Sequence, residues 1–108
     1  MYIRILGLLA LIFSATSSAG YNANMKGKVT HVLTYTSGAQ IYFRLENQPS
    51  HPTCKANYFS IDASTPDNAR QQALSRLLLA YAKGENVNIG YDKESDCSHG
   101  YIRVHRVG

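Results

Sequence analysis

One stretch constrains this chain more than any other: "STPDNARQQALSRLLLAYAKGE", Ser64 to Glu85. Leu74, Leu77, Leu78 and Tyr81 recur at i, i+3, i+4 and i+7, which puts one apolar stripe on a helix. Ser64 or Thr65 can cap its start, Pro66 suits a first turn, and Asp67 complements the positive end of the helix dipole. Lys83 falls in the last turn, and Gly84 is a fitting residue just beyond it. The pattern predicts a helix over Pro66 to Lys83. On both sides the apolar period changes from 3.6 to 2, so a single helix must be set among strands.

Before the helix, "KVTHVLTYT" (Lys28 to Thr36) alternates. Val29, His31, Leu33 and Tyr35 fall on one side, and Lys28, Thr30, Val32 and Thr34 on the other. The turn "SGAQ" leads into "IYFRLEN" (Ile41 to Asn47), with Ile41, Phe43 and Leu45 inward, and the two strands read as a hairpin. "QPSHPT" is a proline-punctuated loop, and "NYFSID" (Asn57 to Asp62) is a third strand with Phe59 and Ile61 inward. After the helix, "NVNIGYD" (Asn86 to Asp92) places Val87, Ile89 and Tyr91 on one side. A charged loop, "KESDCSHG", precedes a fifth strand, "YIRVHRV" (Tyr101 to Val107). Ahead of all of these, "YNANMKG" (Tyr21 to Gly27) is polar and reads as a loose leader.

Three strands, a helix and two strands is the order of an OB-fold, a five-stranded Greek-key barrel. The helix would plug one end. A generic α+β sandwich with the same element order is the alternative. There is no internal repeat, linker or low-complexity tract, so the strands and helix form one domain over residues 20 to 108.

The first residues have a different logic. Arg4 precedes a nine-residue apolar run, Ile5 to Phe13, and Ser17 and Ala19 sit at −3 and −1 of a cleavage after Ala19. That is the layout of a secretory signal peptide over residues 1 to 19. The run falls short of the roughly 18 apolar residues that a membrane-spanning helix requires. Export to the periplasm or the exterior is the expectation. Cleavage would leave 89 of the 108 residues, a size at which staples or self-association commonly supplement the core. The chain carries a formal charge of +4 with its basic residues dispersed, which excludes nothing and names no partner.

Compartment decides the reading of the two cysteines, Cys54 and Cys97. In an oxidising setting such a pair bridges. Zinc needs clustered ligands, yet "HPTC" and "CSH" lie far apart and lack C-x-x-C or H-x3-H spacing. Pro52 also stiffens the backbone between His51 and Cys54. A Cys54–Cys97 disulfide closing so long a loop would stabilise the domain by about 3 to 4 kcal/mol in the chain-entropy account. It would tie the start of the third strand to the loop before the fifth, drawing His51 and His99 into neighbouring loops.

Three segments carry a family likeness: "QIYFRL" (Gln40 to Leu45), "ANYFSI" (Ala56 to Ile61) and "LLAYAKGENVNIGYD" (Leu78 to Asp92). With them the chain resembles the B subunits of bacterial toxins related to subtilase cytotoxin and typhoid (pertussis-like) toxin, and short exported bacterial proteins of similar pattern. The resemblance implies an OB-fold that assembles as a homopentamer. It also implies binding of cell-surface sugars, often sialylated glycans, and a toxin A subunit as a further partner. Met25 stands where that family carries a sugar-contacting serine.

No constellation in the sequence argues for an enzyme. His31 and His105 lack a partnered nucleophile, and Ser75 has no histidine near it. Asp92, Glu94 and Asp96 lack the spacing and trailing glutamate of a calcium loop. No cofactor or metal is expected. Binding is the better expectation. Outward-facing Tyr42, Arg44 and Glu46, with Tyr58, Tyr101, Arg103 and His105, would gather aromatic and cationic groups on one sheet face. The loops Tyr35 to Gln40 and Asn47 to Pro52 supply hydroxyl and amide groups. Tyr35, Ser37, Tyr42, Arg44, Gln48 and Tyr58 are therefore the candidate glycan-binding residues. The alternative is a small exported interaction protein, an inhibitor or stress-related OB protein without a sugar ligand. Single-stranded nucleic acid, which OB-folds also bind by base stacking, fits poorly with export and a disulfide.

Overall fold

A computed structural model describes residues 21–108; the expected leader peptide and its cleavage point lie outside them. The elements run β1 (Ala23–Thr34), β2 (Ile41–Leu45), β3 (Lys55–Ile61), α1 (Asp67–Lys83), β4 (Asn86–Tyr91), β5 (Cys97–Ser98) and β6 (Tyr101–Val107). The strands join in the order β3-β2-β1-β4-β6, and a parallel pairing of β3 with β6 closes the ring. This is a closed five-strand barrel with the helix between its third and fourth strands, the OB-fold that the element order predicts. β5 is an extra two-residue strand, not foreseen from sequence, that turns back on β6. His99 and Gly100 between them both have positive φ, 54° and 85°, the pattern of a two-residue type I′ hairpin.

β1 begins well before the expected start. Ala23 to Lys28 pair antiparallel with Tyr91 to Asn86 of β4, so the polar leader is in fact half of the longest strand. Its polarity misleads because Asn24, Lys26 and Lys28 all point to solvent, while Gly27 and Val29 point into the barrel. β1 then changes partner and pairs with β2 from Val29 to Thr34. Between Val29 and His31 the register slips by one residue, a bulge at Thr30. The slip reverses the alternation: Val32 and Thr34 now lie opposite Phe43 and Ile41, and His31 and Leu33 lie opposite Arg44 and Tyr42. The single inward row Val29, His31, Leu33, Tyr35 is therefore not formed. A barrel of few strands needs one strand to bend between its two half-sheets, and the bulge supplies the bend.

Other bounds move by a residue or two. β2 ends at Leu45, and β3 starts at Lys55, immediately after the disulfide cysteine. The core comprises Val29, Ile41, Phe43, Leu45, Phe59, Ile61, Val87, Ile89, Ile102 and Val104 from the strands, with Leu77 and Ala80 from α1. Tyr91 packs edge-on against Phe59.

α1 departs from its expected face and cap. Pro66 itself occupies the N-cap position without a side-chain cap bond, and Ser64 is engaged elsewhere. At the other end Gly84 adopts φ 69° and returns its N–H to the carbonyls of Ala80 and Tyr81, the αL ending expected of it. Of the predicted stripe only Leu77 is buried, with Leu74 partly so; Leu78 and Tyr81 are exposed. The buried residues of the helix are Leu77 and Ala80, with Ala73 and Leu74 partly buried against the core.

Candidate functional site

The outer face of β2, β3 and β6 collects aromatic side chains. Alternation requires this: with Ile41, Phe43 and Leu45 inward, Tyr42 and Arg44 must face out, and the same holds for Tyr58 beside Phe59 and Tyr101 beside Ile102. Tyr42 is the hub. Its ring centroid lies 5.1 Å from Tyr101, 5.6 Å from Tyr35, 6.4 Å from His99 and 6.5 Å from Tyr58. Tyr58 lies 6.0 Å from Tyr101 and 6.2 Å edge-on to His31. The bulge in β1 is what brings His31 to this face. Tyr35 is 48% exposed, and Tyr42, Tyr58 and Tyr101 are half-buried by one another.

Two cations border the tyrosines. The Lys55 ammonium sits 5.3 Å from the centre of the Tyr101 ring. Arg44 donates from Nη1 to the Asn57 carbonyl at 2.8 Å, which holds the guanidinium along the edge of β3. Such a face offers flat apolar surfaces bordered by donors, a chemistry suited to the C–H face of a sugar ring or to a planar ligand.

The candidate residues divide on this geometry. Tyr35, Tyr42, Arg44 and Tyr58 come together on the face, and Ser37 lies exposed in the β1–β2 turn next to it. Gln48 does not join them: its Oε1 accepts the Leu45 N–H at 3.0 Å, so it closes the end of β2. Glu46 lies past the end of β2, in the turn that follows it. Arg103 and His105 are drawn to Asp96, Arg103 Nε at 2.9 Å and His105 Nε2 at 2.6 Å. Tyr101, Lys55, His31 and His99 complete the face, and of these only Tyr101 had an outward-pattern signal in the sequence. The other three depend on the bulge, on pairing across the barrel and on the hairpin turn.

Beside the face runs a polar chain. Ser60 Oγ donates to Ser98 Oγ at 3.0 Å, and Ser98 Oγ donates to Asp62 Oδ1 at 2.6 Å. Asp62 Oδ2 accepts the hydroxyl and the N–H of Ser64 at 2.5 and 3.0 Å. The Ser64 hydroxyl, then that of Ser98, hold the Asp62 carboxyl far below the usual carboxylate range, with Arg103 at 3.5 Å adding to the effect. His99 Nε2 accepts the Ala63 N–H at 3.3 Å, 3.6 Å from Asp62 Oδ1. Serine, histidine and aspartate meet here, with the hydroxyls of Ser64 and Ser98 both bonded directly to the carboxylate. Ser98 is 1% exposed and gives its proton directly to the carboxylate, so its hydroxyl is a buried structural link.

The disulfide is formed between Cys54 and Cys97, with Cα atoms 5.6 Å apart. His51 belongs to this clasp. Its Nδ1 accepts the N–H groups of Cys54 at 2.9 Å and Thr53 at 3.2 Å. That makes Nε2 the protonated nitrogen, and it donates to the Asp92 carbonyl at 2.9 Å. Thr53 Oγ1 adds a bond to the Glu94 carbonyl at 2.7 Å. Asp92 in turn folds its own loop by accepting the N–H groups of Ser95 first, then Asp96 and Glu94, which lower its pKa. The carboxylates of Asp92 and Asp96 are thus structural acceptors. Among the described residues no group of three or more histidine, cysteine or acidic side chains is placed to hold a metal ion.

No protein-family model, curated protein or solved structure matches the chain.

Proposed function

We propose that this chain is an exported carbohydrate-binding module whose ligand lies on the tyrosine face of β2, β3 and β6. One observation carries the reading: Tyr35, Tyr42, Tyr58 and Tyr101 converge within 6.5 Å of a neighbour on one outer face, bordered by Lys55 and Arg44. Sugar rings stack their C–H faces on such rings, and the lysine and arginine orient hydroxyl or carboxylate groups. The oxidised cysteine pair supports an exported protein. The likeness to toxin B subunits supports cell-surface glycans as ligands, a homopentamer as the assembly and an A subunit as its passenger. Lys55 and His99 extend the ligand surface beyond the residues that alternation alone suggests.

A glycan array probed with the domain, followed by calorimetry on the best hit, tests the reading. Tyr42→Ala should weaken binding by roughly tenfold to a hundredfold, since stacked aromatic contacts contribute about 1 to 3 kcal/mol at binding sites. Silence across sialylated and neutral glycans overturns it. Light scattering of the mature chain tests the ring of five separately.

A second reading has its own support. The tyrosines pack against one another, often edge-on, which covers ring surface that a sugar would use. A small exported interaction protein, with this face as a protein contact, accounts for that packing.

A further inference from the structure

The two edges of β6 are not equally covered. On one edge it is paired by β5 at Tyr101 and Ile102 and by β4 from Val104 to Val107. On the other, β3 accompanies it only as far as the Ser60–Arg103 pair, because the chain leaves the barrel wall after Ile61 and turns into α1. The free edge beyond that point can be assigned to one residue. Asn88 and Gly108 exchange both backbone hydrogen bonds, at 2.9 and 2.8 Å, so the next pair, Ile89 with Val107, is a non-hydrogen-bonded one. The N–H and C=O of Val107 therefore point away from β4, and no backbone group among the described residues bonds to them on that side. They open into a cleft of about 570 Å³, within the size range of ligand sites (roughly 300 to 1,000 Å³). One wall is the strand itself, residues 103–107, and the facing wall is the first half of α1 through Ala69, Gln72 and Ala73. Arg103, His105 and Arg106 line it, no carboxylate does, and none of the tyrosines of the β2, β3 and β6 face takes part.

We propose that this cleft takes an extended peptide segment of a partner protein, added to β6 as a further strand, with apolar residues facing the barrel and acidic residues facing out. Main-chain chemistry selects the class of ligand. An extended strand carries the N–H and C=O of every second residue on one edge, and that is the pairing Val107 lacks. Alternation then selects the side chains. Val104 is buried in the barrel, and Val107 and Ala73 pack against its core, so the inner residues of an added strand meet apolar neighbours. Arg103 and Arg106 stand on the outer side, where opposite charges on adjacent strands attract. Arg103 is already matched by Asp62 and Asp96. Arg106 is held only by two neutral amide oxygens, Asn24 Oδ1 at 2.5 Å and Asn88 Oδ1 at 3.1 Å, so its charge has no carboxylate partner. Its neighbour on β4 is Gly90, which has no side chain to supply one. An acidic residue on the added strand does. A second copy is the poorer occupant, because its matching edge lies in the same cleft behind its own α1 and carries the same arginines. A single strand enters between helix and edge.

Fluorescence anisotropy with the disulfide-bonded protein tests this, using a labelled peptide of about eight residues that alternates valine and glutamate. Saturable binding is expected, and it should be at least about tenfold weaker when lysine replaces glutamate. N-methylation of one alternate set of the peptide amides should weaken binding by about tenfold or more, while methylation of the other set should not, since only one edge of an added strand meets β6. Val107→Pro removes the free N–H without removing a ladder bond, a change that edge strands accept, and should weaken binding to a similar degree. Arg106→Gln should reduce the preference for glutamate over lysine. Ala69→Tyr, at an exposed position of the facing wall, should abolish binding by filling the cleft. Circular dichroism melts establish that each variant folds, and Ala69→Tyr decides the matter if Val107→Pro does not. Absence of saturable binding, an equal effect of the two methylation patterns, or binding that survives Ala69→Tyr overturns the proposal. So does a concentration-dependent increase in mass by light scattering that Ala69→Tyr removes, since the cleft then belongs to a second copy.

Discussion

Asp62 shows how one residue organises the rim of the barrel. Its two oxygens gather Ser64, Ser98 and Arg103, which join the end of β3, the β5 strand and β6. The hydroxyl donors favour the charged carboxylate and depress its folded pKa below the unfolded value of about 3.9. A depressed pKa contributes stability that is present above the unfolded value and is lost as pH falls below it towards the folded one. Asp62→Asn should therefore cost about 1.5 to 3 kcal/mol near pH 7, the usual worth of hydrogen bonds to a charged group. The gap between variant and parent should narrow progressively below about pH 4. Urea melts at pH 7, 5, 3 and 2 check this, and parallel curves for the two proteins would contradict it. Nothing in the sequence singles out Asp62, because Ser98 reaches it from 36 residues away.

At the scale of elements, α1 separates hydrophobic periodicity from burial. The run Leu77, Leu78, Leu79 supplies apolar residues on three sides of a helix, so periodicity alone cannot say which side meets the barrel. The contact is made by Leu77 and Ala80, with Ala73 and Leu74 at its edge, and it leaves Leu78 and Leu79 outside. Leu77→Ala should destabilise the domain by about 2 to 4 kcal/mol, the range for a fully buried leucine. Leu79→Ala should change stability by no more than about 0.5 kcal/mol. Thermal or urea unfolding of the two variants distinguishes them, and similar losses would restore the wider stripe. β1 teaches the same lesson for strands: the inserted residue at Thr30 turns one alternating row into two, and sends His31 to the tyrosine face.

For the whole molecule, closure is the decisive fact. β3 and β6 are parallel neighbours although the helix and β4 lie between them in sequence. The Cys54–Cys97 bridge spans 43 residues and fastens the start of β3 to the strand that folds back on β6, next to the same seam. His51 and Thr53 reinforce it across to the Asp92–Glu94 loop. Replacing both cysteines by serine should lower stability by about 3 to 4 kcal/mol in the chain-entropy account. That is a large part of the net stability of a domain this small, so the variant should melt far lower while showing the same barrel below its transition. An unchanged melting temperature would contradict the role given to the bridge.

By itself the sequence determined the order of the helix and the five barrel strands, the inward rows of β2, β3, β4 and β6, the αL end of the helix at Gly84 and the pairing of the two cysteines. Each of these follows from local chemistry: side-chain alternation, a glycine at positive φ, and two thiols with no other partner. Only the tertiary structure decided the partner-switching half of β1, the face that α1 buries, and the arrival of His31, Lys55 and His99 at the tyrosine face. Those depend on contacts between residues distant in the chain. Local period carries no information on which distant surface a side chain will meet, and barrel closure is what makes the choice.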